Sequence, residues 1–337
     1  MEKILPIVKP VVSSYPRYGH TFSVLGAYTR EYLPWIYMYF AQLYAPAELS
    51  GEGQLDYVVP NIYAKIPWLE INYMEIDIGF KQMNGMQLMK EYINYDFYFS
   101  APFMVNEFAT YKKDSKYHDL LIYGYSDEKE EFYFADNYEG GKYEFGAARY
   151  AEMENAIENY DRTDNPNINC LKYRNNKTWK TFQFDKNTYI NFLKDYINKT
   201  NDARTWGVPG VEYNFLKRKR WGIDVYSYIQ EYLDAVKKSE IDVENRGLYV
   251  ILEHKCILEK TLTYVLGEHW KEKYPLAWKL LEKDIRVAST AFQLFLNYKL
   301  TLDKQLIEQI KNCIAELEEN DYKLFSCLVS ILEGEEK

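Results

Sequence analysis

Two runs, His118-Asp119-Leu120-Leu121-Ile122-Tyr123-Gly124-Tyr125 and Glu131-Phe132-Tyr133-Phe134-Ala135-Asp136, flank the charged segment Ser126-Asp127-Glu128-Lys129-Glu130. Two apolar, aromatic-rich runs around a short polar segment are the pattern of a β-hairpin. With the turn centred on Asp127, residues whose numbers sum to 254 face each other, and His118 lies across from Asp136. A slip of two residues would leave the pair diagonal, still on one face, because side chains alternate with period two.

Outward from the hairpin, the first part of the chain mixes short strands and helices. Ile4 to Val12 reads as extended, and Ser13-Ser14-Tyr15-Pro16-Arg17-Tyr18-Gly19 as a turn. A helix is expected from His20-Thr21, with Thr21 as N-cap and Phe22, Val24, Leu25 and Tyr28 as its apolar stripe. Pro34 opens a second helix through Trp35, Met38, Tyr39, Gln42 and Leu43. Residues 46–84 read as loops and short strands, Met86 to Ile93 as a helix and Tyr95 to Phe103 as a strand. After the hairpin come a turn at Gly140-Gly141 and a helix over Ala148 to Ile157. Strands at Ile168 to Tyr173 and Trp179 to Phe184 would close the sheet.

From Asn187 onward the apolar period becomes helical, over 187–199, 222–237, 246–267, 275–298 and 303–332. The expected fold is therefore α+β. Residues 1–185 form a domain with an antiparallel sheet and helices, and 186–337 an all-α helical bundle.

Composition narrows the function. Hydrophobic residues at 47% and charged residues at 27% support folding throughout, and the net charge of -9 disfavours a nucleic-acid partner. Lys217-Arg218-Lys219-Arg220 is the one basic cluster, read as a solvated connector or a contact for phosphate or an acidic carrier protein. Cys170, Cys256, Cys313 and Cys327 show no CxxC spacing, which argues for a reducing compartment and against zinc. The Met1-Glu2-Lys3-Ile4-Leu5-Pro6 start lacks a signal-peptide core, and no apolar window suits a membrane span, so the cytoplasm is the expected location. The 34 tyrosines line an aromatic ligand groove or reflect codon bias toward Tyr, Asn, Lys and Ile in an AT-rich genome, with many rings at the core boundary.

A His and an Asp brought together by a hairpin match the base and orienter of a nucleophilic triad, or else form a surface pair. His254 beside Glu253 and His269 beside Glu268 lack a third metal ligand; a helix-surface or interhelical hydrogen-bonding role is expected. There is no Gly-rich phosphate loop, GxSxG elbow or HExxH motif, and neither a metal nor a cofactor is expected.

The His118 to Tyr125 run followed by Phe132-Tyr133-Phe134-Ala135-Asp136-Asn137 resembles the His-strand and Asp-strand of the butirosin biosynthesis protein H family, papain-like relatives of bacteriocin-processing cysteine peptidases. Pro34-Trp35-Ile36-Tyr37, Gln42-Leu43-Tyr44 and Leu252-Glu253-His254-Lys255 are similar to the branch associated with nonribosomal peptide synthetases. The resemblance implies a papain-like N-terminal domain. It also implies transfer of an acyl group from a carrier protein through a cysteine thioester. The family motif reads roughly Gly-His-Cys at a helix start, whereas Gly19-His20-Thr21-Phe22-Ser23 places Thr21 at the cysteine position.

By that resemblance the site comprises Thr21, His118 and Asp136, with His20, Ser23 and Asn137 as substrate contacts. The partner would be an acyl- or peptidyl-carrier protein or another assembly-line enzyme. The helix beginning near Thr21 is expected to point toward the His118 ring. Because a hydroxyl is far less readily ionised than a thiol, Thr21 also fits a frame that has lost catalysis and binds assembly-line partners.

Overall fold

Local chemistry places most helix starts. In the computed structural model, which describes residues 1–49, 53–106, 108–111, 117–139, 141–160, 167–174, 182–201 and 219–334, Asn84, Asp185 and Asp303 accept hydrogen bonds from backbone N–H groups at the starts of their helices. Pro16 and Pro275 stand in the first turn of two others, where a missing N–H costs nothing. In chain order the elements are β1 (Glu2–Ile4), α1 (Pro16–Tyr28), α2 (Leu33–Tyr39), β2 (Leu43–Pro46), β3 (Asp56–Tyr57), α3 (Ile62–Lys65), β4 (Leu69–Glu75), α4 (Gly85–Asn94), β5 (Tyr98–Met104), β6 (Tyr117–Ser126) and β7 (Glu131–Glu139). There follow β8 (Lys142–Arg149), α5 (Tyr150–Glu158), β9 (Asn167–Tyr173), α6 (Lys186–Asn198), β10 (Lys219–Trp221), α7 (Val225–Lys238), α8 (Arg246–Leu266), α9 (Trp270–Lys273), α10 (Pro275–Thr301) and α11 (Lys304–Glu333). The fold is α+β, with the antiparallel sheet in the N-terminal half and helices in the C-terminal region.

The chain divides into two compact units: Met1–Tyr32 with Ile62–Thr181, and Leu33–Asn61 with Phe182–Lys337. This differs from a single boundary near 185. Leu33–Asn61 joins the helical unit because Trp35, Ile36, Leu43 and Tyr57 are buried there, and β2 pairs with β10.

In the first unit the strands run β4-β9-β5-β6-β7-β8, all antiparallel. The hairpin is present, but Leu121 faces Ala135 and Ile122 faces Phe134, two residues from the expected register. The shift arises because the turn occupies Asp127–Glu130, later than a turn centred on Asp127. A bulge between Ile122 and Gly124 moves the register once more. Beside it β1 pairs with Gly124–Ser126, and a Cβ on Gly124 would sit 2.9 Å from the Lys3 carbonyl oxygen, so only glycine permits that approach.

The sheet carries helices on both faces. Tyr98 meets Tyr28 of α1, whereas its neighbour Phe99 meets Tyr92 of α4, and successive strand residues point opposite ways. Burial on both faces explains why Leu120, Leu121 and Ile122 are all solvent-free.

The segments differ from expectation in detail. The helix expected at His20 starts a turn earlier, at Pro16, because proline presets the first helical φ. The second ends at Tyr39, and Leu43 already belongs to β2. Residues Trp179 to Thr181 of the proposed last strand, Gly140 of the turn, and Lys217 and Arg218 lie outside the described residues.

The second unit is a helical bundle with the small sheet β10-β2-β3. The α8 stripe buries Leu248, Ile251, Leu258 and Leu262. Arg220 is held by Glu231 at 2.7 and 2.8 Å and by the Ala47 carbonyl, so its guanidinium fork is occupied within the unit. Among the described residues, no helix is long and apolar enough to cross a membrane.

Candidate functional site

Asp136 is fully buried in β7, and its Oδ2 accepts from His118 Nδ1 at 2.6 Å. Strand geometry accounts for the meeting. In the observed register Asp136 stands across from Leu120, one same-face step from His118, the diagonal arrangement a shift of two produces. An ionised carboxylate only accepts, so Nδ1 carries a proton, and in the neutral ring the lone pair is on Nε2. The His118 side chain is 29% exposed, and Nε2 has no hydrogen-bond partner among the described residues.

A third member is Tyr111, whose hydroxyl donates to the same Asp136 Oδ2 at 2.6 Å. Its ring meets His118 edge to face, with centroids 4.8 Å apart. Burial and then the nearby Asp136 charge push the phenol far above its ordinary pKa, so it stays a donor. Asp136 Oδ1 has no hydrogen-bond partner among the described residues. Sequence reasoning missed Tyr111, which lies in a connecting segment without periodicity.

Thr21 does not join this group. It lies inside α1 rather than at its N-cap, which is Tyr15. The Thr21 hydroxyl is fully buried and has no hydrogen-bond partner among the described residues, so it makes no hydrogen bond to His118. The sheet separates their faces. His118 pairs with Phe103, on the Phe99 side that meets α4, while α1 packs on the Tyr98 side. The expectation that the start of this helix aims at the His118 ring is therefore not met: the strand register points that ring to the other side.

His20 is the α1 residue that reaches the strands. Its Nε2 donates to the Asp119 carbonyl at 2.9 Å and its Nδ1 accepts from the Tyr143 hydroxyl at 2.9 Å. Burial lowers its pKa to about 4, which keeps the ring neutral and fits that hydrogen-bond assignment. Both nitrogens are used and the ring is buried, so His20 is a packed core histidine rather than a surface for a ligand. Gly19 allows this docking, since a Cβ there would fall 2.5 Å from the Tyr143 ring. Ser23 is likewise buried and donates to the Val8 carbonyl. Asn137 holds the Ser13 carbonyl at 2.6 Å and the Gly141 carbonyl at 3.2 Å.

In the second unit a separate polar cluster is sealed from solvent. Lys255 reaches both oxygens of Asp321 at 2.7 and 2.6 Å, and Tyr196 and Tyr226 donate to Asp321 Oδ2 at 2.7 and 2.5 Å. Burial alone would raise the Asp321 pKa, but Lys255 and these donors outweigh it and hold the carboxylate ionised. Asp284 is pushed up to about 8, by burial first and then by the Asp321 charge, while Asn320 donates to its Oδ1 at 2.6 Å. His254 gives Nε2–H to the Ala41 carbonyl at 3.0 Å and is lowered to about 3 by burial and by Lys255. His269 is exposed, 3.6 Å from Glu272. No group of three or more His, Cys, Asp or Glu suited to a metal occurs among the described residues.

No protein-family model matches the chain, and no curated protein matches it.

Proposed function

We propose that the first unit is an acyl- or peptidyl-transfer or hydrolysis domain acting on a carrier-linked thioester or amide, with His118 as general base and Asp136 as its orienter. The observation that carries this is the pairing itself: a fully buried carboxylate fixes Nδ1 of a partly exposed imidazole at 2.6 Å. The substrate class comes from the resemblance of the two hairpin strands to the butirosin biosynthesis protein H family. The test is an acyl carrier protein loaded with a short acyl chain, incubated with the protein and followed by intact mass. Loss of the acyl group from the carrier, abolished by His118→Ala, supports this function. Equal loss with the variant removes His118 from it.

A second reading is favoured by one observation, the sealed and unpartnered Thr21 hydroxyl. In it the unit is a catalytically inactive papain-like frame that binds carrier or assembly-line proteins. Carrier binding by calorimetry, without turnover, supports that reading over the first.

A further inference from the structure

We propose that Tyr111 is a positioning residue for His118: by sharing Asp136 Oδ2 with the imidazole it stops the carboxylate from turning, and so keeps the His118 proton on Nδ1 and the basic lone pair on Nε2. Its effect on rate rests on the transfer reading above; its effect on the ring does not. A carboxylate turns about its Cβ–Cγ bond, a torsion with a broad minimum, and a single hydrogen bond leaves that rotation open. Asp136 Oδ2 receives two, from His118 on β6 and from Tyr111 in the segment between β5 and β6, each at 2.6 Å. Short hydrogen bonds to an ionised acceptor are the strong ones, and two donors arriving from different elements fix the carboxylate plane.

The segment that carries Tyr111 is built to aim the hydroxyl. Its backbone turns twice, Phe108 N–H donating to the Val105 carbonyl at 3.0 Å and Tyr111 N–H to the Phe108 carbonyl at 3.1 Å. Glu152 ties it to the start of α5: Oε1 accepts from Ala109 N–H at 2.9 Å, and Oε2 from Arg149 N–H at 2.7 Å. The ring is wedged between Phe134, Tyr138 and Phe108, with centroids 6.0, 5.2 and 6.0 Å away. Those contacts belong to the ring and survive Tyr111→Phe, which removes one hydrogen bond and leaves its scaffold. Without the hydroxyl, a carboxylate free to turn releases Nδ1–H, and a neutral imidazole that has lost this acceptor divides its proton between both nitrogens. A base whose lone pair has moved to Nδ1, or whose ring has swung, is misplaced, and misplacement of a reacting group costs up to about a hundredfold in rate.

The experiment uses the full chain with isotope-labelled histidine, in mildly alkaline buffer where the rings are neutral, and proton–nitrogen correlation spectra that separate the two imidazole tautomers. His118 should show the Nδ1–H form alone in the unaltered protein and gain an Nε2–H share in Tyr111→Phe. His20, whose Nε2 donates to the Asp119 carbonyl, should keep its own signature and so report that the variant is folded. An unchanged His118 tautomer in the folded variant overturns the proposal. A second measurement needs no variant: the Tyr111 hydroxyl proton and His118 Nδ1–H point at one oxygen, so a cross-relaxation peak between them is expected, and its absence overturns the shared acceptor. Turnover is read as thiol release from the acetyl thioester of N-acetylcysteamine. Tyr111→Phe should lower kcat by about ten- to a hundredfold and leave KM within about twofold, the split expected when orientation rather than binding is lost. In a His118→Ala background the same substitution should change the residual rate by less than about twofold, because Tyr111 acts through His118. A kcat within about twofold of the unaltered protein's, or a loss that persists without His118, overturns the positioning role. No thiol release above buffer from the unaltered protein overturns the transfer reading alone, and the tautomer still decides the role of Tyr111.

Discussion

Tyr111 and His118 share one acceptor: each donates to Asp136 Oδ2 at 2.6 Å, while their rings touch edge to face. The phenol thus holds the carboxylate from one side and the imidazole from the other. Tyr111→Phe removes a hydrogen bond to a buried charge and should cost about 1.5–3 kcal/mol of stability. Chemical denaturation checks this; an unchanged midpoint would show that the hydroxyl does not bond Asp136.

Thr21→Val should have the opposite sign. The hydroxyl is buried and has no hydrogen-bond partner among the described residues, so replacing it by a methyl of similar shape removes a desolvation cost and should stabilise by about 1 kcal/mol. A loss of stability on this substitution would mean that the hydroxyl has a partner.

The four histidines should react in two classes. Diethyl pyrocarbonate should modify exposed His269 and part-exposed His118 in the folded protein, and reach buried His20 and His254 only after unfolding. Peptide mapping of the modified protein reads the order directly, and early modification of His20 would contradict its packing against Tyr143.

The pH dependence of the helical unit follows from His254 and Asp284. His254 is lowered from 6.5 to about 3, so the unfolded chain binds more protons across that interval; its contribution is present above 6.5 and lost as pH falls. Asp284 is raised from 3.8 to about 8, so the folded chain binds more protons there, and stability erodes as pH rises toward 8. Between 6.5 and 8 only the second trend of this pair acts. Asp284→Asn should flatten that falling limb and leave the acid side in place, measured by thermal unfolding from pH 5 to 9. An unaltered alkaline limb would assign the slope to another group.

Lys255→Met should cost far more, about 3–5 kcal/mol, because it leaves the Asp321 charge buried without its cation. Lys255→Met combined with Asp321→Leu should recover part of the loss, since no buried charge is then left unpaired, while the Tyr196 and Tyr226 hydroxyls lose their shared acceptor. A double variant as unstable as the single one would place the cost in packing rather than charge.

The α+β class and the His118–Asp136 meeting were legible because both depend on local periodicity: a two-residue repeat in the hairpin, a helical repeat after Asn187. The same repeat could not give the register, since moving the turn to Asp127–Glu130 shifts the pairing while preserving which residues share a face. Tyr111, and Tyr143 as partner of His20, were hidden because each contact joins residues far apart in sequence without a repeating pattern. Thr21 misled for a related reason. A threonine before an apolar stripe looks like a cap, but Pro16 had already begun the helix.

The segment Leu33–Asn61 is made early on the ribosome, yet its partners include β10 and α8, which begin at Lys219 and Arg246. At roughly 5–20 residues per second of synthesis, Trp35, Ile36 and Leu43 wait on the order of 10–40 seconds for the chain that will cover them. During that interval they are nascent apolar surface, a stretch for chaperones to shield. A single cut after Thr181 would leave Leu33–Asn61 on the amino-terminal fragment and β10 and α8 on the other, so that covering this surface would depend on the two fragments staying together.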